Sequence, residues 1–329
     1  MNPSADCSAP APPVPQPYVG RFAPSPSGPL HFGSLVAAVG SYVDARAAAG
    51  RWLVRIEDLD PPRERPGAAD DILRTLERLG LHWDGPVVRQ STRAAHYAAA
   101  LAQLAQRKLL HGCACTRSTL AALPANLGRE PGASDELFHP GRCPPPLPSA
   151  PESPGRAWRL RVPEGAIAFQ DRSLGVQAID VAATVGNFVL RRRDGLFAYQ
   201  LAVVVDDSDQ GVTDVVRGCD LLASTARQIL LQQALGRGPV RYLHLPLAVD
   251  DRGRKLSKSD DSPAAGEDGP AAQLVAVLRF LGQAPPAGLL QATPAEVLGW
   301  ACAHWSIEGF AGRVAGAAAG GPMAGTAGR

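Results

Sequence analysis

Two groups of residues, far apart in the chain, have the types and spacing needed to act on a phosphate. The first is Arg21-Phe22-Ala23-Pro24-Ser25-Pro26-Ser27-Gly28-Pro29-Leu30-His31-Phe32-Gly33-Ser34. Its three prolines stiffen the loop, and Gly28 and Gly33 let backbone come close to a ligand. Leu35, Val36, Val39, Tyr42 and Val43 follow at helical spacing, so the segment reads as strand, tight loop and helix N-terminus. The free N–H groups of such a terminus favour phosphate, and the His31 imidazole adds a donor at the same mouth. By itself the stretch also reads as a Pro-rich loop before an ordinary helix. The second group, Lys255-Leu256-Ser257-Lys258-Ser259, holds two of the chain's three lysines, the other being Lys108. Concentrating lysine in one loop of an arginine-rich chain points to a need for a compact ammonium there.

The surrounding elements bring further polar groups to the same place. Trp52–Ile56 reads as a short strand that ends in Glu57-Asp58-Leu59-Asp60. Ligands bind at the carboxyl ends of strands in an open parallel sheet, which puts Glu57 beside the first loop and leaves Asp58 and Asp60 structural roles. Leu196–Val205 reads as a buried strand ending in Asp206 and Asp207, which are expected to cap the strand end or contact a ribose. Tyr199 within it is a core aromatic on its residue type alone. Thr213–Gly218 is another strand, and Arg217 near its end has the planar fork that holds a carboxylate through two parallel hydrogen bonds. Helices are expected over 70–79, 94–110, 221–235, 273–282 and 294–305. Ser34 is expected to cap the first helix, which runs to about Ala49, and Asp220 to cap the one over 221–235. Residues 158–176 alternate as small antiparallel strands do. Arg156, Arg159 and Arg161 there face either an RNA backbone or solvent.

The chain has 329 residues, a formal net charge of +2 and six cysteines. That charge is too small to imply nucleic acid, although a local arginine patch would serve. No apolar run reaches the length of a membrane span, and the Ala/Pro-rich start lacks the pattern of a secretory signal. Cys113, Cys115 and Cys143 cluster around His139, while Cys7, Cys219 and Cys302 are scattered. This suits a metal site in a reducing compartment better than a disulfide framework. Three thiolates and an imidazole match tetrahedral zinc; three free thiols on a flexible loop are the alternative.

Taken together, His31-Phe32-Gly33-Ser34 resembles the HIGH motif of class I aminoacyl-tRNA synthetases, with serine at its second histidine. Lys255–Ser259 resembles their KMSKS motif, with leucine for methionine. The flanking Arg21–Gly28 run narrows the resemblance to the glutamyl branch. Cys113, Cys115 and Cys143 resemble the Cys-x-Cys, Tyr-x3-Cys zinc motif of a family of short relatives, the glutamyl-queuosine tRNA(Asp) synthetases, with His139 in the place of tyrosine. The resemblance implies an α/β fold: a Rossmann-type parallel sheet, a small zinc-stapled insertion and a short helical C-terminal region. It divides the chain into a disordered leader (1–17), two catalytic halves (18–112 and 176–265) around the insertion (113–175), a helical region (266–309) and a disordered tail (310–329).

The resemblance also implies roles. His31, Lys255 and Lys258 would be catalytic. ATP would lie against Pro24, Gly28, His31, Gly33, Ser34 and Lys258, and L-glutamate against Arg21, Phe22, Ala23, Pro24, Ser25, Glu57, Tyr199 and Arg217. Arg21 or Arg217 would take the γ-carboxylate and Glu57 the α-ammonium. One structural Zn²⁺ and ATP-borne Mg²⁺ are the implied cofactors. About seventy residues follow Ser259, too few for an anticodon-reading helical domain. With that, the resemblance to the short relatives implies that the acceptor is queuosine in the anticodon loop of tRNA(Asp); the enzyme is expected to be a cytoplasmic monomer. A compact synthetase charging tRNA(Glu), a HIGH-type nucleotidyltransferase and an inactive paralogue that only binds RNA or amino acid are the rival expectations.

Overall fold

The computed structural model describes residues 17–123, 126, 137–141, 155–249 and 269–317. In chain order the N-terminal half contains β1 (Val19–Phe22), α1 (Phe32–Ala47), β2 (Arg51–Ile56), α2 (Ala68–Arg78), β3 (Val88–Arg89), α3 (Ala94–Gln106), β4 (Leu110–Cys113) and α4 (Arg117–Ala121). Then come β5 (Ala157–Leu160), β6 (Ala166–Asp171), β7 (Gly175–Asp180), α5 (Val181–Thr184) and β8 (Val189–Arg191). The remainder is α6 (Tyr199–Asp209), β9 (Asp214–Gly218), α7 (Leu222–Leu235), β10 (Arg241–Leu245), β11 (Leu247–Val249), α8 (Pro270–Phe280), α9 (Pro294–Ala303) and β12 (Ala315–Ala317).

Parallel strands β1, β2 and β3 form one sheet, and β9, β10 and β6 form another, with β7 antiparallel on β6. The two meet where β1 approaches β9: Thr213 N–H donates to the Val19 carbonyl at 2.9 Å, and Val19 N–H to Thr213 Oγ1 at 2.9 Å. The strand order reverses at that junction, the place where open α/β sheets bind ligands. Antiparallel β4, β5 and β8 make a separate small sheet. Strand β6, inside the stretch expected to be an insertion, pairs with the main sheet through Asp171 and Tyr242.

The sheet is covered on both faces. On one side Val36, Val39 and Val43 of α1 pack with Trp52, Leu245, Leu274 and Leu278, joining the C-terminal helices to the first strand pair. On the other, Val215 of β9, Tyr242 of β10 and Phe169 of β6 pack with Ile229 of α7, while Tyr97 and Leu101 of α3, Leu201 and Val205 of α6 and Leu231 of α7 close over the separate sheet of β4, β5 and β8. Each such fully buried side chain contributes about 1.5–3 kcal/mol of apolar burial. No helix among the described residues is long and apolar enough to cross a membrane.

Several sequence expectations need correction. The buried strand expected at Leu196–Val205 is helix α6, beginning at Tyr199. An apolar run that is buried all round shows neither period, so pattern alone does not separate the two. Asp206 and Asp207 therefore sit inside a helix, not at a strand end, and both are buried in ion pairs. Helix α3 stops at Gln106, and Leu110 already belongs to β4. Ser34 lies within the first turn of α1 rather than capping it; His31 is the N-cap residue. Asp220 lies in a short turn ahead of α7, whose N-cap is Leu221. Residues 310–317 of the expected disordered tail are ordered. Phe310 is fully buried in the main core, and β12 pairs in parallel with β11. An Ala-Gly-Ala strand has little side-chain signal, yet its backbone groups satisfy a sheet edge as well as any other. Residues 1–16 of the expected leader and 318–329 of the tail lie outside the described residues.

Candidate active site

A cleft of about 290 Å³ opens at the β1/β9 junction. Arg21, Phe22, Ala23, Pro24, Ser25, Gly28, His31, Gly33, Ser34, Tyr199 and Arg217 all line it. Residues expected to bind two substrates thus converge on one concavity. Gly28 has φ +139°, a backbone region that side chains rarely adopt, so glycine is what lets the loop turn toward α1. At Gly33 a Cβ would lie 3.2 Å from His31 Cε1 and crowd the imidazole. His31 Nε2 is 3.1 Å from Ser34 Oγ, which ties the ring to the first turn of the helix. The first N–H groups of α1, which have no partner within the helix, open on this end of the cleft.

Arg21 projects from β1 into the seam between strands. Its Nε donates to Asp207 Oδ1 at 3.1 Å and its Nη1 to the Val216 carbonyl at 3.4 Å. Asp207 also accepts from Arg55 Nη2 at 2.8 Å. Burial works against the Asp207 charge, but Arg21 and Arg55 outweigh it and hold the carboxyl below its usual range. Beneath lies Asp206, bonded by Gln90 Nε2 at 2.7 Å, by Tyr97 Oη at 2.8 Å and by Arg93.

Arg217, on β9, is held quite differently. Its Nη1 donates to Gln228 Oε1 at 2.7 Å, its Nη2 to Thr225 Oγ1 at 2.7 Å and its Nε to His244 Nε2 at 3.3 Å. Every hydrogen-bond partner it has among the described residues is neutral. Tyr199, the first residue of α6, is partly buried on the cleft wall, and burial raises its phenol pKa.

Glu57 is the one expected glutamate-binding residue absent from the main cleft lining. It lies in an adjoining cavity of about 170 Å³ that shares Ser25 and Ser27 with the first. Its backbone N–H donates to the Pro24 carbonyl at 2.9 Å. Burial, opposed by Arg55 and Arg21 and reinforced by Asp207 and Asp206, pushes its carboxyl up to about 7. Asp58 accepts from Ser91 N and Oγ, and Asp60 pairs with Arg63 and Arg192, as structural roles require. Lys255 and Lys258 lie outside the described residues; β11, whose Leu247 and Ala248 line the cleft, precedes them in the chain.

The ligand atoms of Cys113, Cys115 and His139 lie within 4.8 Å of one another. Cys113 Sγ is 3.2 Å from His139 Nε2, and Gly141 N–H lies 3.1 Å from Nδ1. His139 is held from behind by backbone bonds to Val185 and Asn187. Two sulfurs and an imidazole nitrogen at this separation suit zinc chemically. Cys143 lies outside the described residues. Of the expected basic group, Arg159 points inward and donates to the Asn187 carbonyl at 2.8 Å, while Arg161 is exposed.

Sequence reasoning missed what holds the arginines: Asp207, which Arg55 shares, for Arg21, and Thr225, Gln228 and His244 for Arg217. One signal was available for the second set. Ser224, Gln228 and Gln232 recur every four residues and are all buried, a polar stripe on the inner side of α7.

Residues 18–289 match the family described as tRNA synthetases class I (E and Q), catalytic domain. A protein of Dechloromonas aromatica named glutamyl-Q tRNA(Asp) synthetase is 56% identical over 292 residues, 89% of this chain and 95% of that protein. A Pseudomonas aeruginosa protein of the same name is 54% identical over 288 residues, 88% of this chain and 93% of the other. Among solved structures, a glutamate tRNA ligase from Elizabethkingia meningosepticum in complex with its amino acid superposes with a TM-score of 0.74 at 25% identity. That match covers 92% of this chain and 67% of the ligase. A parallel α/β sheet with its cleft at the strand-order reversal and the match over residues 18–289 agree: the chain belongs to the family of class I tRNA synthetases (E and Q).

Proposed function

We propose that this protein activates L-glutamate with ATP to glutamyl-adenylate and transfers the glutamyl group to the queuosine base at the wobble position of tRNA(Asp). The observation that carries the glutamate reading is Arg217, a guanidinium on the cleft wall whose hydrogen-bond partners are all neutral. Its charge is therefore available to the γ-carboxylate, whereas that of Arg21 is balanced by Asp207. A neutral amide would leave the Arg217 charge buried and unanswered, which disfavours glutamine. Glu57, reached from Ser25, receives the α-ammonium. The choice of queuosine as acceptor is supported by the names of the relatives, which align over nearly their whole length.

In the first step the α-carboxylate of glutamate attacks the α-phosphorus of ATP and pyrophosphate leaves. The nucleophile is already ionised, so no general base is needed. The cleft contributes position and charge. His31, held by Ser34, and the N-terminus of α1 donate to the α-phosphate as charge builds there. Lys258, with Lys255, follows the leaving pyrophosphate, and Mg²⁺ arriving with ATP neutralises it further. In the second step a hydroxyl of the queuosine base attacks the acyl carbonyl, an ester forms and AMP leaves. Cys113, Cys115, His139 and Cys143 would hold one Zn²⁺, which would staple β4 to the following loop and take no part in the reaction. We read the enzyme as a cytoplasmic monomer.

The decisive experiment is transfer of labelled glutamate to tRNA(Asp) with and without queuosine, and to tRNA(Glu). The proposal requires label only in queuosine-containing tRNA(Asp), and after nuclease digestion it must be found in the anticodon-loop fragment and not on the 3′-terminal adenosine. Label at the 3′ end of tRNA(Glu) would make this a compact tRNA(Glu)-charging enzyme instead. Lys258→Ala should slow adenylate formation by roughly a hundredfold or more, the scale on which lost transition-state charge stabilisation acts.

A further inference from the structure

We propose that Asp171 and His244 form a buried relay that aims the Arg217 guanidinium, making both of them positioning residues for carboxylate recognition. This rests on the reading of Arg217 given above. Arg217 and His244 are directly opposed in the β9/β10 register, so their side chains share one face of the sheet. Asp171 ends β6, on the other side of β10. The Asp171 and His244 side chains are both fully buried. Asp171 Oδ2 lies 2.6 Å from His244 Nδ1, and Asp171 Oδ1 accepts from Ser173 N–H at 3.0 Å and Leu174 N–H at 2.9 Å.

The hydrogen bonding settles which nitrogen of His244 carries the proton. Burial opposes the charge on Asp171, but the bonds from His244, Leu174 and Ser173 outweigh it and keep the carboxyl ionised. An ionised carboxylate only accepts, so Nδ1 of His244 must be the N–H donor. Burial and the Arg217 charge, opposed by Asp171 and Asp220, discourage a second proton on the ring. Nε2 is then a lone pair, and it faces Arg217 Nε–H at 3.3 Å and Thr225 Oγ1 at 3.2 Å. The opposite tautomer would set N–H against N–H. With Nε, one Nη1 hydrogen and one Nη2 hydrogen occupied, Arg217 keeps one N–H on each terminal nitrogen for a substrate carboxylate. A buried Asp–His pair is a poor way to stabilise a core, since apolar side chains of similar volume do as well or better. Its value here is directional, and it ends on a cleft residue.

Three variants separate aiming from mere packing. His244→Asn keeps a donor near Asp171 but has no acceptor that reaches Arg217. His244→Gln carries an amide oxygen out to the Nε2 position and keeps that acceptor. Asp171→Asn must keep its oxygen toward Ser173 and Leu174, so it presents an NH2 to the ring and reverses the tautomer. In glutamate-dependent ATP–pyrophosphate exchange, Asp171→Asn and His244→Asn should raise the KM for glutamate about tenfold or more, the scale of one hydrogen bond to a charged group, and His244→Gln by less than about threefold. The KM for ATP should stay within about twofold of wild type in all three, because Arg217 acts on the carboxylate substrate alone. Equal glutamate effects in His244→Asn and His244→Gln, or a parallel rise in the KM for ATP, would overturn the relay. Independently, 15N chemical shifts of His244 in the wild-type protein should show protonated Nδ1 and unprotonated Nε2; the reverse would refute it even if no variant folds. Absence of any glutamate-dependent exchange in the wild type would instead sink the functional reading, leaving the 15N result to judge the relay.

Discussion

The two guanidiniums of the cleft are held by opposite means. Arg21 is bound to a carboxylate, Asp207, which it shares with Arg55, and Arg55 also pairs with Asp206 and Glu57, so the cations of this floor lie among carboxylates. Among the described residues Arg217 is hydrogen-bonded by an amide, a hydroxyl and an imidazole. At about 4 Å and an effective dielectric near 20, one charge pair is worth about 4 kcal/mol. A carboxylate approaching Arg21 also meets Asp207, and the two contributions largely cancel. One approaching Arg217 meets nothing of its own sign among that residue's hydrogen-bond partners. The first arginine thus belongs to a scaffold that is already neutralised, and the second keeps its charge for a ligand. Both are buried and both line the same cleft, so neither burial nor position would have told them apart.

The contrast can be broken experimentally. Arg217→Ala should lower kcat/KM for glutamate by about a hundredfold to a thousandfold, as truncating one partner of a buried charge pair does. Exchange kinetics would read this, and a loss below about tenfold would mean that the cleft takes its carboxylate elsewhere. Asp207→Asn should act first on stability. It leaves Arg21 and Arg55 without their shared anion, at a cost of about 3 kcal/mol in denaturant unfolding, since breaking a buried pair strands the other charge. An unchanged midpoint would show that the floor is not an ionic scaffold.

Glu57 sharpens the same contrast through pH. Its carboxyl titrates near 7, above the usual carboxylate range, chiefly because it is buried. Below that pH the free enzyme holds it protonated, and binding an ammonium must first release the proton. The KM for glutamate should therefore rise as pH falls below about 7, by at most about tenfold per unit, while Glu57→Gln should flatten the slope. A flat wild-type profile between pH 5.5 and 8 would remove Glu57 from ammonium recognition. The smallest effect is expected at Gln228, one of three neutral partners of Arg217. Gln228→Ala should raise the KM for glutamate about tenfold, the size of one hydrogen bond to a charged group, with little effect on the KM for ATP.

Much of the loop between β1 and α1 was legible because its signals are local. Prolines and Gly28 mark a loop that can take only a few shapes, and the apolar spacing after it marks α1. Trp52–Ile56 reads as a strand because it is short, apolar and followed by turn residues, and β2 begins one residue earlier, at Arg51. The lining of the cleft by Arg21, Ser25, His31, Tyr199 and Arg217 was also within reach, since each lies in a segment with a readable shape or a family resemblance. The second half was less legible. Helix α6 has no exposed face, so its run of Leu201 to Val205 shows no helical period, and a strand was the natural reading. The Ala-Gly-Ala of β12 has almost no side chain to read.

The sequence by itself determined which residue types were present: a proline- and glycine-bearing turn before a helix, a lysine-bearing loop, a cysteine–histidine group and arginines suited to carboxylates. These are properties of residue type and short spacing. Only the tertiary structure decided what each arginine does. Arg21 meets Asp207 across 186 positions, and His244 meets Asp171 across 73. Such pairings depend on how β1, β6, β9, β10 and α6 come together at the sheet junction. A carboxylate beside one guanidinium and an imidazole lone pair beside the other are facts of packing, and they set the charge that a substrate meets.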